Sequence, residues 1–225
     1  VLKKIAVFGG SFNPIHSGHL HLIHSFDQLI GFDKIILVPS ARPPHKEGEE
    51  LAFGEDRYTL CSLVAEEDVR YTVSRFELSR PQTSYTIDTV KHIKSLFPED
   101  RLYLIIGSDM LYSFDRWYCY RELLTLCTVC AAARHQGEYE QLLLLKNRYE
   151  AEGGSVVIGE ADPIELSSTE VRRALEKGES LKGKLPEKVE RAIGERAMYQ
   201  SLRPLPPKDE VKALLKRLLS EKRYL

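Results

Sequence analysis

The chain has no apolar run long enough to cross a bilayer, no excess of either charge, and no Gly/Ser-rich or Pro-rich stretch dividing it. Lysine plus arginine (32) against aspartate plus glutamate (33) leaves a formal net charge of -1. The broad basic face of a general nucleic-acid binder is therefore missing, and any bound anion must meet a local site. The opening VLKKIAVFGG is too short, and ends too abruptly in glycines, to be read as a secretory signal. A cytoplasmic protein is expected, with neither nucleic acid nor membrane as partner. Without an internal linker, the 225 residues suit one large domain over 1–200 followed by a tail over 201–225.

Cysteine is scarce as well. Cys61, Cys119, Cys127 and Cys130 form no framework of a secreted scaffold. Cys127 and Cys130 have CxxC spacing, but TLCTVCAAA reads as a buried strand, in which residues three apart point to opposite faces. Small core residues in a reducing compartment are expected there, not metal ligands, and no residue set elsewhere is expected to hold a metal.

What the chain does have is alternation. Short β-branched runs at Ile5–Phe8, Lys34–Pro39, Tyr71–Phe76, Arg101–Ile106, Thr128–Ala133 and Ser155–Ile158 alternate with helical patterns, which predicts an α/β fold with a mostly parallel sheet covered by helices. Most of the runs are continuously apolar, as strands buried on both faces should be. After the first strand, Leu20, Ile23, Phe26, Leu29 and Ile30 recur at helical spacing until Gly31. A second helix is predicted from the capping box Ser167–Glu170 to about Gly178, and a third from Pro186, placed at the first helical position, to about Tyr199. The tail carries Val211, Leu214, Leu215, Leu218 and Leu219 on one face of an amphipathic helix. Packing on its own domain, a subunit contact and a membrane-surface helix all stay open for it, as does a homo-oligomer.

The chemistry concentrates between Gly9 and Leu20, GGSFNPIHSGHL. A glycine turn at the carboxyl end of the first strand lets backbone amides approach an anion closely. The stretch is neither a Walker A loop nor GxGxxG. Its signal lies in His16 and His19, three residues apart at the start of a helix, where the helix N-terminus attracts negative charge and two imidazoles can converge on a phosphate. His21 and His24 read as ordinary helix residues. At SSTEVR, Ser168 and Thr169 offer hydroxyls and free amides at another helix N-terminus, and Arg172 brings a planar fork one turn in. Arg173, the next residue, is its rival for that role.

GGSFNPIHSGH resembles the phosphate-binding motif of the nucleotidyltransferase superfamily, and SSTEVR its second motif, with Leu166 where isoleucine is usual. Three further segments narrow the resemblance to bacterial-type nicotinate-nucleotide adenylyltransferases: PSARPPHK (39–46), SYTIDT (84–89) and GSDMLYSFDRWY (107–118). The resemblance implies a Rossmann-like, doubly wound sheet with the ATP triphosphate between the two motifs. It implies ATP contacts from Gly9, Gly10, Ser11, Phe12, His16, His19, Gly107, Asp109, Arg134, Ser168, Thr169 and Arg172. Asp109 is expected to end a strand and accept from a ribose, and Arg134 to close the next strand, as a triphosphate contact or a plain surface residue. Ser11, His45, Lys46, Thr86, Asp88, Trp117 and Tyr118 are the implied contacts of nicotinate mononucleotide. Trp117 is expected as an aromatic platform for the pyridine ring, against the alternative of a core tryptophan on a helix with Leu111, Phe114 and Leu123.

The expected reaction is adenylyl transfer, with His16, His19, Arg172 and Lys46 as the catalytic groups and Mg²⁺ carried on the ATP phosphates. Three rivals are kept in view. Pantetheine-phosphate adenylyltransferases and cytidylyltransferases share both phosphate motifs. Synthetases that make aminoacyl-adenylates use HxGH too, but no KMSKS-like stretch occurs here. A non-catalytic nucleotide-binding regulator would be marked by a lost histidine or a lost Arg172, and none is lost.

Overall fold

The computed structural model describes residues 2–41, 51–80, 83, 85–133, 137–160 and 166–199. Six strands, β1 (Lys4–Gly10), β2 (Lys34–Pro39), β3 (Tyr71–Val73), β4 (Arg101–Gly107), β5 (Thr128–Ala133) and β6 (Ser155–Glu160), form one sheet in the order β3-β2-β1-β4-β5-β6. Every pairing is parallel. The order runs outward in both directions from β1 and β4, which opens a crevice at their carboxyl ends, where Gly9–Gly10 and Gly107 lie.

Alternation along each strand sorts the core into two layers. Ala6 and Phe8 of β1 join Ile35 and Leu37 of β2 on one face, covered by α1 (Ser17–Ile30), α2 (Gly54–Ala65), α7 (Ser168–Lys177) and α8 (Glu187–Glu195). Ile5 and Val7 join Ile36 and Val38 on the other, under α3 (Thr86–Leu96), α4 (Ser108–Tyr112), α5 (Tyr120–Leu126) and α6 (Glu138–Ala151). The helices thus cover both faces, as a doubly wound fold requires. Cys130 belongs to the first layer and Cys127 to the second. Burial pushes both thiols up, Cys127 to about 12. They stay protonated at neutral pH and part company across the sheet, so they cannot share a metal.

Local rules account for most boundaries. Gly31 ends α1 in the left-handed region at φ 70°, with its N–H on the Asp27 carbonyl. In α7 the Ser167–Glu170 capping box forms in full: the Glu170 carboxylate accepts from the Ser167 N–H (2.7 Å) and hydroxyl (2.8 Å). Those two bonds hold the Glu170 carboxyl below the usual range.

Four expectations change. β3 stops at Val73 instead of Phe76, because the Ser74 hydroxyl accepts the Phe76 N–H at 3.2 Å and turns the chain. Pro186 is the cap of α8, not its first residue, and the helix ends at Glu195, with Ala197 and Tyr199 beyond it in the left-handed region. Asp109 is not at a strand end: β4 closes at Gly107, and Asp109 sits inside α4. Trp117 lies on no helix; it closes a 3-10 turn, Phe114–Arg116, ahead of α5. The predicted tail helix and the contacts His45, Lys46 and Arg134 lie outside the described residues. Among the described residues, no helix is long and apolar enough to cross a membrane.

Packing is tight where α6 returns to β6. A Cβ on Gly154 would stand 2.6 Å from Leu124 Cδ2 and 3.0 Å from the Tyr149 carbonyl oxygen, and that backbone atom cannot step aside. Gly154→Ala is expected to cost about 1–3 kcal/mol, read as a lower urea midpoint at constant slope. A midpoint equal to that of the parent would show that the turn relaxes freely.

Candidate active site

The site grows from β1. Its last residues, Gly9 and Gly10, reach the carboxyl edge of the sheet, and among the described residues a Cβ at Gly9 would meet nothing within 4 Å. The chain then passes through Phe12, a non-glycine residue at φ 44°, and the cis Asn13–Pro14 bond into α1. The Phe12 ring is fully buried, edge-on to Phe8 and His19 at 5.5 and 5.1 Å between centroids. Its side chain is an anchor, so only its backbone can face a ligand.

His16 caps α1, and His19 is its third residue. Their rings lie 3.7 Å apart and 33° from parallel. The His19 Nδ1 accepts the His16 backbone N–H at 3.1 Å, which assigns the proton of a neutral His19 to Nε2, the nitrogen left to donate. His16 is buried and His19 partly so.

Four carbonyl groups of this loop have a donor. Gly10 accepts from the Ser40 N–H (2.9 Å), Ser11 from Arg57 Nη1 (2.6 Å), Asn13 from Arg172 Nη1 (2.7 Å) and Pro14 from the Ser168 hydroxyl (3.0 Å). Arg172 also donates through Nη2 to the Thr169 hydroxyl at 3.3 Å. The second motif is therefore bonded to the first across 154 and 159 positions of sequence. Arg173, by contrast, is exposed.

Across the crevice, Gly107 caps α4, and Asp109, in the first turn of that helix, is exposed. Thr86 opens α3, with Asp88 in its first turn paired to Arg80 at 3.5 Å. Trp117 is partly buried, with its ring 5.3 Å from that of Phe114 and packed on the second core layer. It is therefore neither a fully buried core residue nor free of the core. Tyr118 is 61% exposed and meets the ring of Tyr85 at 4.9 Å.

Three neighbours escape the sequence reading. Arg57 is only 2% exposed and joins Ser11 to the Ala52 carbonyl, which its Nε meets at 2.9 Å. Asn13 is equally buried, its Oδ1 accepting the Ala52 N–H at 3.0 Å. Ser40, at the end of β2 beside Gly10, buries a hydroxyl that has no partner among the described residues. A signal for Arg57 was available: it stands at the spacing of Leu60, Cys61 and Val64, the apolar face of α2. A charge on such a face calls for a partner. Among the described residues, no group of three or more His, Cys, Asp or Glu side chains gathers to hold a metal.

A parallel sheet carrying a glycine turn, paired imidazoles and a second helix N-terminus at its switch point defines a Rossmann-like nucleotide-binding protein. The cytidylyltransferase-like family model matches residues 7–174. The chain is 37% identical over 197 residues to a Thermus thermophilus protein named "Probable nicotinate-nucleotide adenylyltransferase", covering 88% of this chain and all of that one. A Clostridium tetani protein of the same name is 32% identical over 200 residues, with the same coverage. The fold is shared with Plasmodium falciparum nicotinic acid mononucleotide adenylyltransferase complexed with NaAD: TM-score 0.70, 18% identity, 88% of this chain and 97% of that one. The chain belongs to the cytidylyltransferase-like family and, within it, to the nicotinate-nucleotide adenylyltransferases.

A Cβ on Gly18 would stand 3.1 Å from His16 Nδ1 and 3.4 Å from the Leu166 carbonyl oxygen. His16 is buried and packs on His19 at 3.7 Å between ring centroids, so a shift of its ring disturbs the pair. Gly18→Ala is expected to lower turnover at least about tenfold by displacing the ring pair, while the gain in helix propensity, up to about 1 kcal/mol, keeps the melting temperature near that of the parent. Parent-like turnover would show that the rings tolerate the shift.

Proposed function

We propose that the chain transfers AMP from ATP to nicotinate mononucleotide, giving nicotinate adenine dinucleotide (deamido-NAD) and pyrophosphate for NAD biosynthesis. The observation that carries this reading is the meeting of the GGSFNPIHSGH loop with the SST helix at the sheet's switch point. The names of the full-length relatives support nicotinate mononucleotide as the acceptor.

A phosphate oxygen of the mononucleotide attacks the α-phosphorus of ATP. The new bond joins that oxygen to the α-phosphorus, the bond from the α-phosphorus to the β-bridging oxygen breaks, and pyrophosphate leaves with the electron pair. No general base is needed, since a phosphate monoester with a second pKa near about 6 is already largely dianionic at neutral pH. The work is alignment and charge stabilisation. His19, donating through Nε2, and His16 are assigned to the transferring phosphate, with Gly9, Gly10, Ser11 and the Phe12 backbone lining the loop. The remaining N–H groups of Arg172, with Ser168 and Thr169, are assigned to the triphosphate, and Lys46 and Arg134 to added phosphate charge. Mg²⁺ enters with ATP, carried on its β and γ oxygens as part of the substrate.

Gly107 and Asp109 are assigned to the adenosine side. Asp109, exposed in the first turn of α4, is assigned to accept from ribose hydroxyls. Ser11, His45, Thr86, Asp88, Trp117 and Tyr118 are assigned to the nicotinate nucleotide. The Tyr118–Tyr85 pair and the partly buried Trp117 supply aromatic surface for a flat ring.

The test is pyrophosphate release from Mg-ATP with nicotinate mononucleotide, nicotinamide mononucleotide and phosphopantetheine supplied separately. Turnover with the first is expected. Turnover with phosphopantetheine alone would keep adenylyl transfer and overturn the acceptor, and ATP binding without release under any acceptor would mark a regulator. In the active protein, His19→Ala should cost about a hundredfold in kcat. Trp117→Ala should raise KM for the pyridine nucleotide about tenfold at unchanged KM for ATP. An unchanged kcat in folded His19→Ala would remove that residue from the reaction.

A further inference from the structure

We propose that Arg57, which lies outside both phosphate motifs, is a positioning residue for the phosphate loop: its buried guanidinium turns the Ser11 carbonyl inward and so aims the Phe12 N–H at the phosphates. The proposal rests on the reading of that loop as the ATP site.

In a planar trans peptide unit, the C=O and N–H point in opposite directions. Arg57 is 2% exposed and donates to the Ser11 oxygen at 2.6 Å, so that carbonyl faces the protein interior and the N–H of the same unit, which belongs to Phe12, faces the other way. The left-handed φ of Phe12, 44°, is the kind of backbone state that builds an anion-binding concavity from successive N–H groups. A non-glycine residue holds that state only under constraint. Two constraints are present: the Phe12 ring is locked into the core, and Arg57 fixes the peptide unit before it.

The clamp closes on itself. Arg57 Nε donates to the Ala52 carbonyl at 2.9 Å, and the Ala52 N–H donates to Asn13 Oδ1 at 3.0 Å. Two hydrogen bonds therefore tie the Ser11–Asn13 stretch to Arg57 of α2 and to Ala52 just before that helix, and a third joins Arg57 to Ala52. A fork is needed for this, because Nη1 and Nε serve two carbonyls at once, and a lysine has a single nitrogen. Burial lowers the Arg57 pKa, opposed by Tyr199, Cys61 and the buried carboxylate of Glu77; a guanidinium starts so high that it stays a cation.

The experiment compares Arg57→Met, Arg57→Lys and Arg70→Gln with the parent, through melting temperature, kcat, KM for each substrate and the calorimetric Kd of Mg-ATP. Arg70 anchors a network of its own, ion-paired with Asp27 (2.9 Å) and Asp68 (2.7 Å) beside the start of β3, away from the loop. Arg70→Gln is expected to melt lower with parent kinetics. Arg57→Met is expected to lose about a hundredfold in kcat/KM for ATP, with KM for the nicotinate nucleotide nearly unchanged. Arg57→Lys should recover part of that loss and bind Mg-ATP about tenfold more weakly than the parent. If Arg57→Met fails to fold, Arg57→Lys carries the test. Either variant melting lower while its folded fraction keeps the parent kcat, ATP KM and ATP Kd would overturn the proposal and leave Arg57 a purely structural residue. A parent that binds Mg-ATP without transferring AMP to nicotinate mononucleotide would count against the proposed reaction alone, since the ATP Kd of Arg57→Lys still decides the role of Arg57. A parent that binds no ATP would remove both.

Discussion

An anion-binding loop must turn its N–H groups outward, and every carbonyl it thereby turns inward must find a donor. That constraint organises this molecule. An unmet buried carbonyl costs about 1–3 kcal/mol, and the loop between β1 and α1 presents several in close succession. The protein answers with Ser40 N–H, Arg57, Arg172 and the Ser168 hydroxyl on the Gly10, Ser11, Asn13 and Pro14 carbonyls. These donors come from the residue after β2 and from α2 and α7. The loop is therefore not a local motif but a joint between three distant parts of the chain, and Arg172, assigned to phosphate charge in the proposed reaction, braces the loop with one amino group while keeping further N–H groups for an anion.

The sheet order follows from the same requirement. Placing β1 beside β4, with crossovers leaving in opposite directions, opens the crevice at whose edge Gly9 lies. The helices of one layer, α1 and α7, bring imidazoles, hydroxyls and a guanidinium to that crevice. The elements of the other layer carry Thr86 at the start of α3, Asp109 in α4, and Trp117 and Tyr118 just after the 3-10 turn. In the proposed reaction the first layer serves the phosphates and the second the sugar and pyridine, so the two nucleotides meet over the central strands.

What could be read from the sequence was whatever depends on near neighbours. Both ends of β2 and β5 fall where β-branched runs stop, and the Ser167–Glu170 spacing located α7 because a capping box is closed within four residues. Where a boundary depended on a side-chain bond invisible in hydropathy, it moved: the Ser74 hydroxyl shortened β3. Arg57 was missed because its partner lies 46 positions away, and periodicity shows that a residue faces the core without showing what it meets there. Phe12 was recognised as part of the phosphate motif, yet a motif does not say whether backbone or side chain serves; the ring proved to be the loop's anchor.

The separation of the two layers explains why the phosphate motifs alone leave the acceptor undecided. Ser168, Arg172 and Arg57 are bonded to the loop itself, so changing any of them disturbs backbone geometry that any nucleotide transfer at this site would need. Among the described residues Trp117 and Tyr118 have no such tie: Trp117 packs on Phe114 in the layer on the opposite side of the sheet, and Tyr118 on Tyr85 at the start of α3. Substitution there alters the surface offered to an acceptor without moving a carbonyl of the loop. A fold built this way can keep its phosphate chemistry constant while its acceptor surface varies, and in the proposed reaction α3 and the Trp117–Tyr118 segment after the 3-10 turn carry acceptor contacts that can change without disturbing the loop that Ser11 belongs to.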